Sequence, residues 1–384
     1  MPTTKLKNTV YRLALPFCAP KCPRHPVTSV TGRDAVCLRG LESLLRRHHV
    51  MGSAVLLVSG SQHCLICSAS ENPKHEAFPE TFFRVASVTK TAASVLCGRL
   101  FDEGTLDPDR PVSEYFSEEP ARSALEGITL RHLLSHTSGV IDPPGLESAV
   151  ENGVPFTDLL PAARRYQPGS SFHYSNLGFG LVGCALESVL GLPVGQIFRE
   201  RLFQPLQMNA TLEASLLPRE KIMPVTRVLP YAVGKDVVIT KLGSRPLLSP
   251  DPLRHYGHTA GSMYTDILSL QKLLDTLVRD DADYLSAPMK AEIRRQHASY
   301  GSLSPTLSYG LGLLRIDDPS VSDSPVYGHQ GFAYGCVDGA FWEENTGRSV
   351  IMLNGGAGEA RTGRLGLLNR DILRWAFRKE LPAW

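Results

Sequence analysis

The sequence predicts an α/β (α+β) fold in which both chain ends build one antiparallel sheet, helices flank it, and a mainly helical lobe is inserted between. Three observations carry this. Near the N-terminus, residues 53–58 and 63–67 are apolar runs on either side of Gly60, a hairpin pattern. Beyond residue 300, the stretches 307–314, 326–329, 337–341 and 349–353 read as successive strands. Between these ends, residues from about 106 to 220 are rich in helix signals and Pro-Gly turns.

The elements follow in order. Residues 1 to 30 read as a tail of uncertain order, and 31 to 384 as a single domain. Lys5, Lys7 and Arg12 precede a short apolar piece at 13–17 that Pro16 interrupts. An export signal needs roughly 7–15 apolar residues, so the chain is expected to be cytoplasmic. Cys18 fits a lipoprotein site poorly after Pro16 and Phe17. Residues 35–45 then form an amphipathic pattern. A helix beginning at Ser87 runs through an apolar stretch, buried around its whole circumference, to Glu103-Gly104. Residues 128–136 read as helical, with Thr129 as N-cap and Gly139 just past the end. The terminal helix, 365–379, sets Leu368, Ile372, Trp375 and Ala376 on one face.

Composition narrows the function. With 42% hydrophobic and 20% charged residues the chain has an ordinary globular balance. A formal net charge of +2 gives no electrostatic footprint for nucleic acid. No run approaches the roughly 18 apolar residues of a membrane span. Eight cysteines do not make 384 residues a disulfide scaffold, and they read as reduced thiols. Cys64 and Cys67 fall in a strand pattern, where residues three apart point to opposite faces and chelate a metal badly. His132 and His136 have the i, i+4 spacing of metal ligands, but no third ligand or adjacent glutamate accompanies them. No metal and no cofactor is expected.

The chemistry starts at Ser87-x-x-Lys90. On a helix, residues three apart share a face, so an amine lies within reach of a nucleophilic hydroxyl. A second literal match, Ser269 and Lys272, sits in an amphipathic helix with Lys272 simply solvated. The second element, Tyr174-x-Asn176, offers a phenol as proton acceptor. Lowering a phenol's pKa by about three units takes roughly 4 kcal/mol of favourable interaction, part of which Lys90 could supply. The third is His329-Gln330-Gly331-Phe332, where glycine lets backbone approach a substrate closely. The N–H groups of Ser87 and Phe332 could pair as an oxyanion hole. His255-Tyr256-Gly257 is a second His-x-Gly, in a Pro-rich loop region.

The order Ser-x-x-Lys, Tyr-x-Asn, His-x-Gly resembles the serine β-lactamase and penicillin-binding-protein superfamily, in its class C β-lactamase-like branch. Residues 128–139, Pro168-Gly169, Pro205-Leu206, residues 260–265 and Tyr309-Gly310-Leu311-Gly312 match as well, so the similarity runs from about 40 to 376. The resemblance implies a β-lactamase/transpeptidase-like fold and a serine hydrolase. Ser87 would be the acylated nucleophile, Lys90 its activator and Tyr174 the general base. Asn176, His329, Gly331 and Phe332 would bind a small-molecule or peptide acyl substrate. Penicillin-directed members usually carry Lys-Thr-Gly at the third motif. His329 shifts the resemblance towards esterases, D-amino-acid amidases and peptidases. A non-catalytic acyl-binding sensor and an acyltransferase with a non-water acceptor stay open, whereas an α/β-hydrolase is disfavoured because no Gly-x-Ser-x-Gly occurs.

Overall fold

The computed structural model describes residues 22–32, 38–228 and 236–377, together with residues 9, 10 and 13. Most of the N-terminal basic and apolar pattern, with Cys18, lies outside them, as do the first residues read into the 35–45 helix and the last two of the terminal helix. In chain order the main elements are β1 (Val27–Gly32), α1 (Leu38–Arg47), β2 (Ser53–Ser59), β3 (Gln62–Ser68), α2 (Thr89–Asp102), α3 (Asn176–Leu190) and α4 (Ile267–Val278). Then follow β4 (Ala298–Ser299), β5 (Leu307–Tyr309), β6 (Leu314–Ile316), β7 (Val326–Ala333), β8 (Cys336–Glu343), β9 (Ser349–Asn354) and α5 (Leu367–Phe377).

The nine strands form one antiparallel sheet in the order β1-β3-β2-β9-β8-β7-β6-β5-β4. The chain ends meet at β2 and β9, with Ser53 opposite Asn354 and Val58 opposite Ser349. Side chains alternate across it, as the pleat requires. Val55, Leu57, Cys64, Ile66, Val350 and Met352 face one layer with α1 and α5. Ala54, Leu56, Leu65, Cys67, Ile351 and Leu353 face the other, with α2, α3 and α4. Cys64 and Cys67 therefore lie on opposite faces, and neither is in a disulfide. Leu368, Ile372, Trp375 and Ala376 of α5 all enter the first layer, the face read from their spacing.

Differences from the sequence reading have physical causes. Residues 307–314, read as one strand, are divided between β5 and β6, an antiparallel pair joined by a turn in which Gly312 takes a positive φ of 59°. β1 occupies residues assigned to the tail: all but its first residue are exposed, and it pairs through one edge with β3. A strand whose side chains are exposed from its second residue on leaves no apolar alternation to read. The helix expected over 128–136 is Leu130–Leu134, opened by a capping box of Thr129 and His132. It stops because His136 adopts a positive φ of 57°.

Packing against α3 positions the site. A methyl on Gly180 would come within 1.7 Å of the Tyr256 carbonyl oxygen, and one on Gly183 within 2.9 Å of the Thr259 side chain. Bare backbone here lets residues 256–261 lie against the helix, where Thr259 Oγ1 donates to the Phe179 carbonyl at 3.0 Å. Replacing Gly180 by Ala must displace backbone, and forced overpacking costs about 1–3 kcal/mol. Urea unfolding of Gly180→Ala should show a loss at the upper end of that range. Unchanged stability would contradict this packing.

Candidate active site

Ser87 is delivered by a short three-stranded sheet and a strained turn. Phe83–Arg84 pairs with Tyr264–Thr265, and the Val85 N–H donates to the Met263 carbonyl at 3.0 Å. Ala86 follows with φ 44°, a left-handed conformation that costs a non-glycine residue about 1–3 kcal/mol. Thr89 Oγ1 holds it by donating to the Ala86 carbonyl at 2.6 Å. Ser87 then lies in the 3-10 turn Ala86–Val88 that leads into α2. Of residues 85–98, it alone is not buried.

Lys90, one turn on, is 0% exposed. Its Nζ reaches three oxygens: Ala260 carbonyl at 2.6 Å, Asn176 Oδ1 at 2.9 Å and Ser87 Oγ at 3.2 Å. Burial lowers its pKa to about 7, against an opposing pull from the Asp142 carboxylate. That fall is roughly 5 kcal/mol of preference for the neutral amine. A carbonyl and an amide oxygen only accept, so they fix two N–H bonds. The third direction points at Ser87 Oγ, which can accept from an ammonium or donate to an amine lone pair.

Tyr174 shares the site. A hydrogen bond from the Ser87 side chain reaches its phenol, yet burial pushes the phenol above its ordinary value. This is opposite to what a phenolate base at neutral pH requires. Lys90 Nζ lies 5.0 Å from the ring centroid. Beneath it His136, its ring centroid 4.2 Å away, takes the Ser175 N–H on Nδ1 at 3.2 Å. His132 takes the Thr129 N–H on its own Nδ1. The i, i+4 histidines thus serve a helix cap and an aromatic support. Among the described residues no cluster of three His, Cys, Asp or Glu could hold a metal.

β7 supplies the opposite wall. Its pairing with β6 ends at Leu314–Gly328, while pairing with β8 runs on to Ala333, so one edge of 329–333 borders the cleft. Gly331 lies against the Ser87 turn: a Cβ there would sit 2.4 Å from the Val85 carbonyl oxygen. His329 is buried, with Nδ1 2.7 Å from the Gln330 carbonyl and Nε2 2.8 Å from the Tyr309 hydroxyl. An imidazole held this way carries its proton on Nδ1 and accepts from Tyr309. Burial, then the charge of Lys90, lowers its pKa to about 3.

These residues line a cleft of about 1150 Å³ that includes Ser87, Tyr174, Asn176, His329 and Phe332. Arg84, Arg227, Arg361 and Arg364 line it as well, Arg361 with its guanidinium 3.6 Å from the Phe332 ring centroid. The other motif matches serve structure. Ser269 Oγ is buried and accepts the Asn209 N–H, while Lys272 reaches the Gln207 carbonyl. Tyr256 and Gly257 border the cleft, but His255 is turned onto buried Glu187 at 2.7 Å. Sequence reasoning did not single out Asp142, Tyr309 or the supporting role of His136.

His329 should stay neutral through the physiological range. In ¹⁵N-histidine spectra one imidazole should show the Nδ1–H tautomer with no titration between pH 5 and 8. A His329 signal titrating near 6.5 would contradict the geometry.

The chain is similar to known proteins over most of its length. The Beta-lactamase family model matches residues 41–364. Esterase EstB of Burkholderia gladioli is 27% identical over 77% of this chain and 82% of its own. The D-alanyl-D-alanine-carboxypeptidase/endopeptidase AmpH of Escherichia coli K12 is 31% identical over 49% of this chain, which spans about half of that relative's length, 51%. Two solved structures share the fold. EstCE1, a hydrolase with promiscuous acyltransferase activity, has a TM-score of 0.69 at 22% identity, covering 88% of this chain and 98% of that one. The D-amino acid amidase of Ochrobactrum anthropi SV3 has 0.66 at 23%, covering 85% and 92%. The chain belongs to the Beta-lactamase family.

Proposed function

We propose that this protein is a serine hydrolase that cleaves a carboxylic ester or amide through an acyl-enzyme on Ser87. The observation that carries the reading is the buried Lys90 amine, 3.2 Å from Ser87 Oγ with its other two contacts restricted to acceptors. Neutral Lys90 takes the Ser87 proton as Oγ bonds to the substrate carbonyl carbon. The oxyanion forms against the Ser87 and Phe332 N–H groups. The C–O or C–N bond then breaks, and the Tyr174 phenol relays a proton to the leaving group. Water attacks the acyl-enzyme by the same route in reverse, releasing the acid. The raised phenol pKa supports giving the base role to Lys90 and the relay to Tyr174.

The named relatives and neighbours act on esters, D-amino-acid amides and peptides, and those classes are the substrates proposed here. A neutral His329 supplies no cation at the third motif. The four arginines bordering the cleft nonetheless favour a second reading in which the substrate carries a carboxylate.

A fluorophosphonate should label Ser87, as read by mass spectrometry. Ser87→Ala should lower turnover of a p-nitrophenyl ester by about a thousand-fold or more. The logarithm of kcat/KM should rise with unit slope to about pH 7 and then level, following Lys90 deprotonation. Labelling that survives Ser87→Ala, or a rate independent of pH from 5 to 9, would sink the assignment. A panel of neutral esters, D-amino-acid amides and carboxylate-bearing analogues separates the two substrate readings.

A further inference from the structure

We infer that Asp142 is a positioning residue for the reaction: it fixes the side-chain amide of Asn176 so that its oxygen, not its nitrogen, faces Lys90. The inference rests on the serine-hydrolase reading above and adds a group outside its three motifs.

Asp142 lies three residues after Gly139, in the segment that leaves the Leu130–Leu134 helix and borders the cleft. Its carboxylate holds three consecutive residues at the start of α3. Oδ1 accepts from Ser175 Oγ at 2.8 Å and from the Leu177 N–H at 2.9 Å. Oδ2 accepts from Asn176 Nδ2 at 2.9 Å. A carboxylate only accepts, so the amide must turn its NH2 towards Asp142, which leaves Oδ1 for Lys90 at 2.9 Å. Only that orientation satisfies both neighbours. Turned over, the amide would set acceptor against acceptor at Asp142 and take from Lys90 the acceptor that now holds one of its N–H bonds, freeing the amine to rotate away from Ser87. With three hydrogen bonds already accepted, Asp142 supports Asn176 rather than binding substrate.

The carboxylate also acts through its charge. The titratable groups facing Lys90 are Asp142, Tyr174, His136 and His329. Burial holds both imidazoles neutral and raises the phenol. Asp142 is thus the acidic partner of the buried amine, and it opposes the fall in the lysine's pKa. Removing its charge lets that pKa fall further, so neutral amine persists to lower pH.

The test is a double-mutant cycle read as pH profiles of kcat/KM. Asp142→Asn should lose about ten- to a hundred-fold, the scale of a misplaced catalytic group. Its acid limb should move below that of the parent. Combined with Asn176→Ala, it should lower the plateau of kcat/KM no more than Asn176→Ala alone, because the positioning effect runs through that one amide, while the acid limb still moves with the lost charge. Losses that simply multiply, or an acid limb that stays in place, would overturn the inference. Should Asp142→Asn fail to fold by circular dichroism, Asp142→Glu keeps the charge and displaces the bond. It should leave the acid limb in place and lose rate only when Asn176 is present; a loss that persists without Asn176 overturns the inference. Fluorophosphonate labelling of the unmutated protein separates the two claims. A labelled Ser87 with multiplying losses removes only the positioning role, whereas an unlabelled Ser87 removes the hydrolase reading itself.

Discussion

Burial of the Lys90 amine without a carboxylate in contact is the constraint on which the rest of the site depends. An ammonium in that position would touch only oxygen dipoles, with the Asp142 carboxylate acting on it from the far side of Asn176. Burial brings the amine's pKa down to about 7, so that the neutral form is populated near physiological pH, and the fold surrounds it with acceptors. Each acceptor arrives from a different part of the chain. Ala260 comes from the segment that Gly180 and Gly183 allow against α3, and Asn176 comes from the first position of that helix. Ser87 comes from the strained turn after Phe83–Arg84. The site is therefore a property of how three elements pack, and no one of them holds it alone.

The two walls of the cleft are built for opposite purposes. On the α3 side, polar groups are paired in a chain from Asp142 through Asn176 and buried Lys90 to Ser87. Such a network rigidifies when every member is satisfied. On the β7 side, backbone approaches closely because Gly331 has no side chain, and a neutral His329 is locked between Tyr309 and its own strand. Arg84, Arg227, Arg361 and Arg364 also line the cleft, and the charge of Arg361 reaches the Tyr174 phenol, where it opposes the rise in pKa that burial causes.

Much of this was legible in the sequence because the signals were local or strongly patterned. Ser87 and Lys90 are one helical turn apart, and the strands after residue 300 alternate cleanly between two cores. Tyr174, Asn176 and His329 were reached through the order of motifs, and the structure brings them to one cleft. Asp142 was not legible. A lone aspartate in a loop has no spacing signature, and its three partners lie more than thirty residues away. Nor could the pattern show that the Tyr174 phenol is raised, since its desolvation comes from neighbours in distant segments. β1 escaped for a different reason: an edge strand with nearly all its side chains exposed has no apolar period.

The central claim is that one buried lysine is neutral at physiological pH and faces a serine. It is tested most directly by following the Cε resonances of ¹³C-labelled lysines through a pH titration, with Lys90→Met to assign the signal. The account predicts a single resonance titrating near pH 7 that vanishes in the variant. If every lysine instead titrates near its ordinary value of about 10.5, the buried amine is charged and cannot take the Ser87 proton.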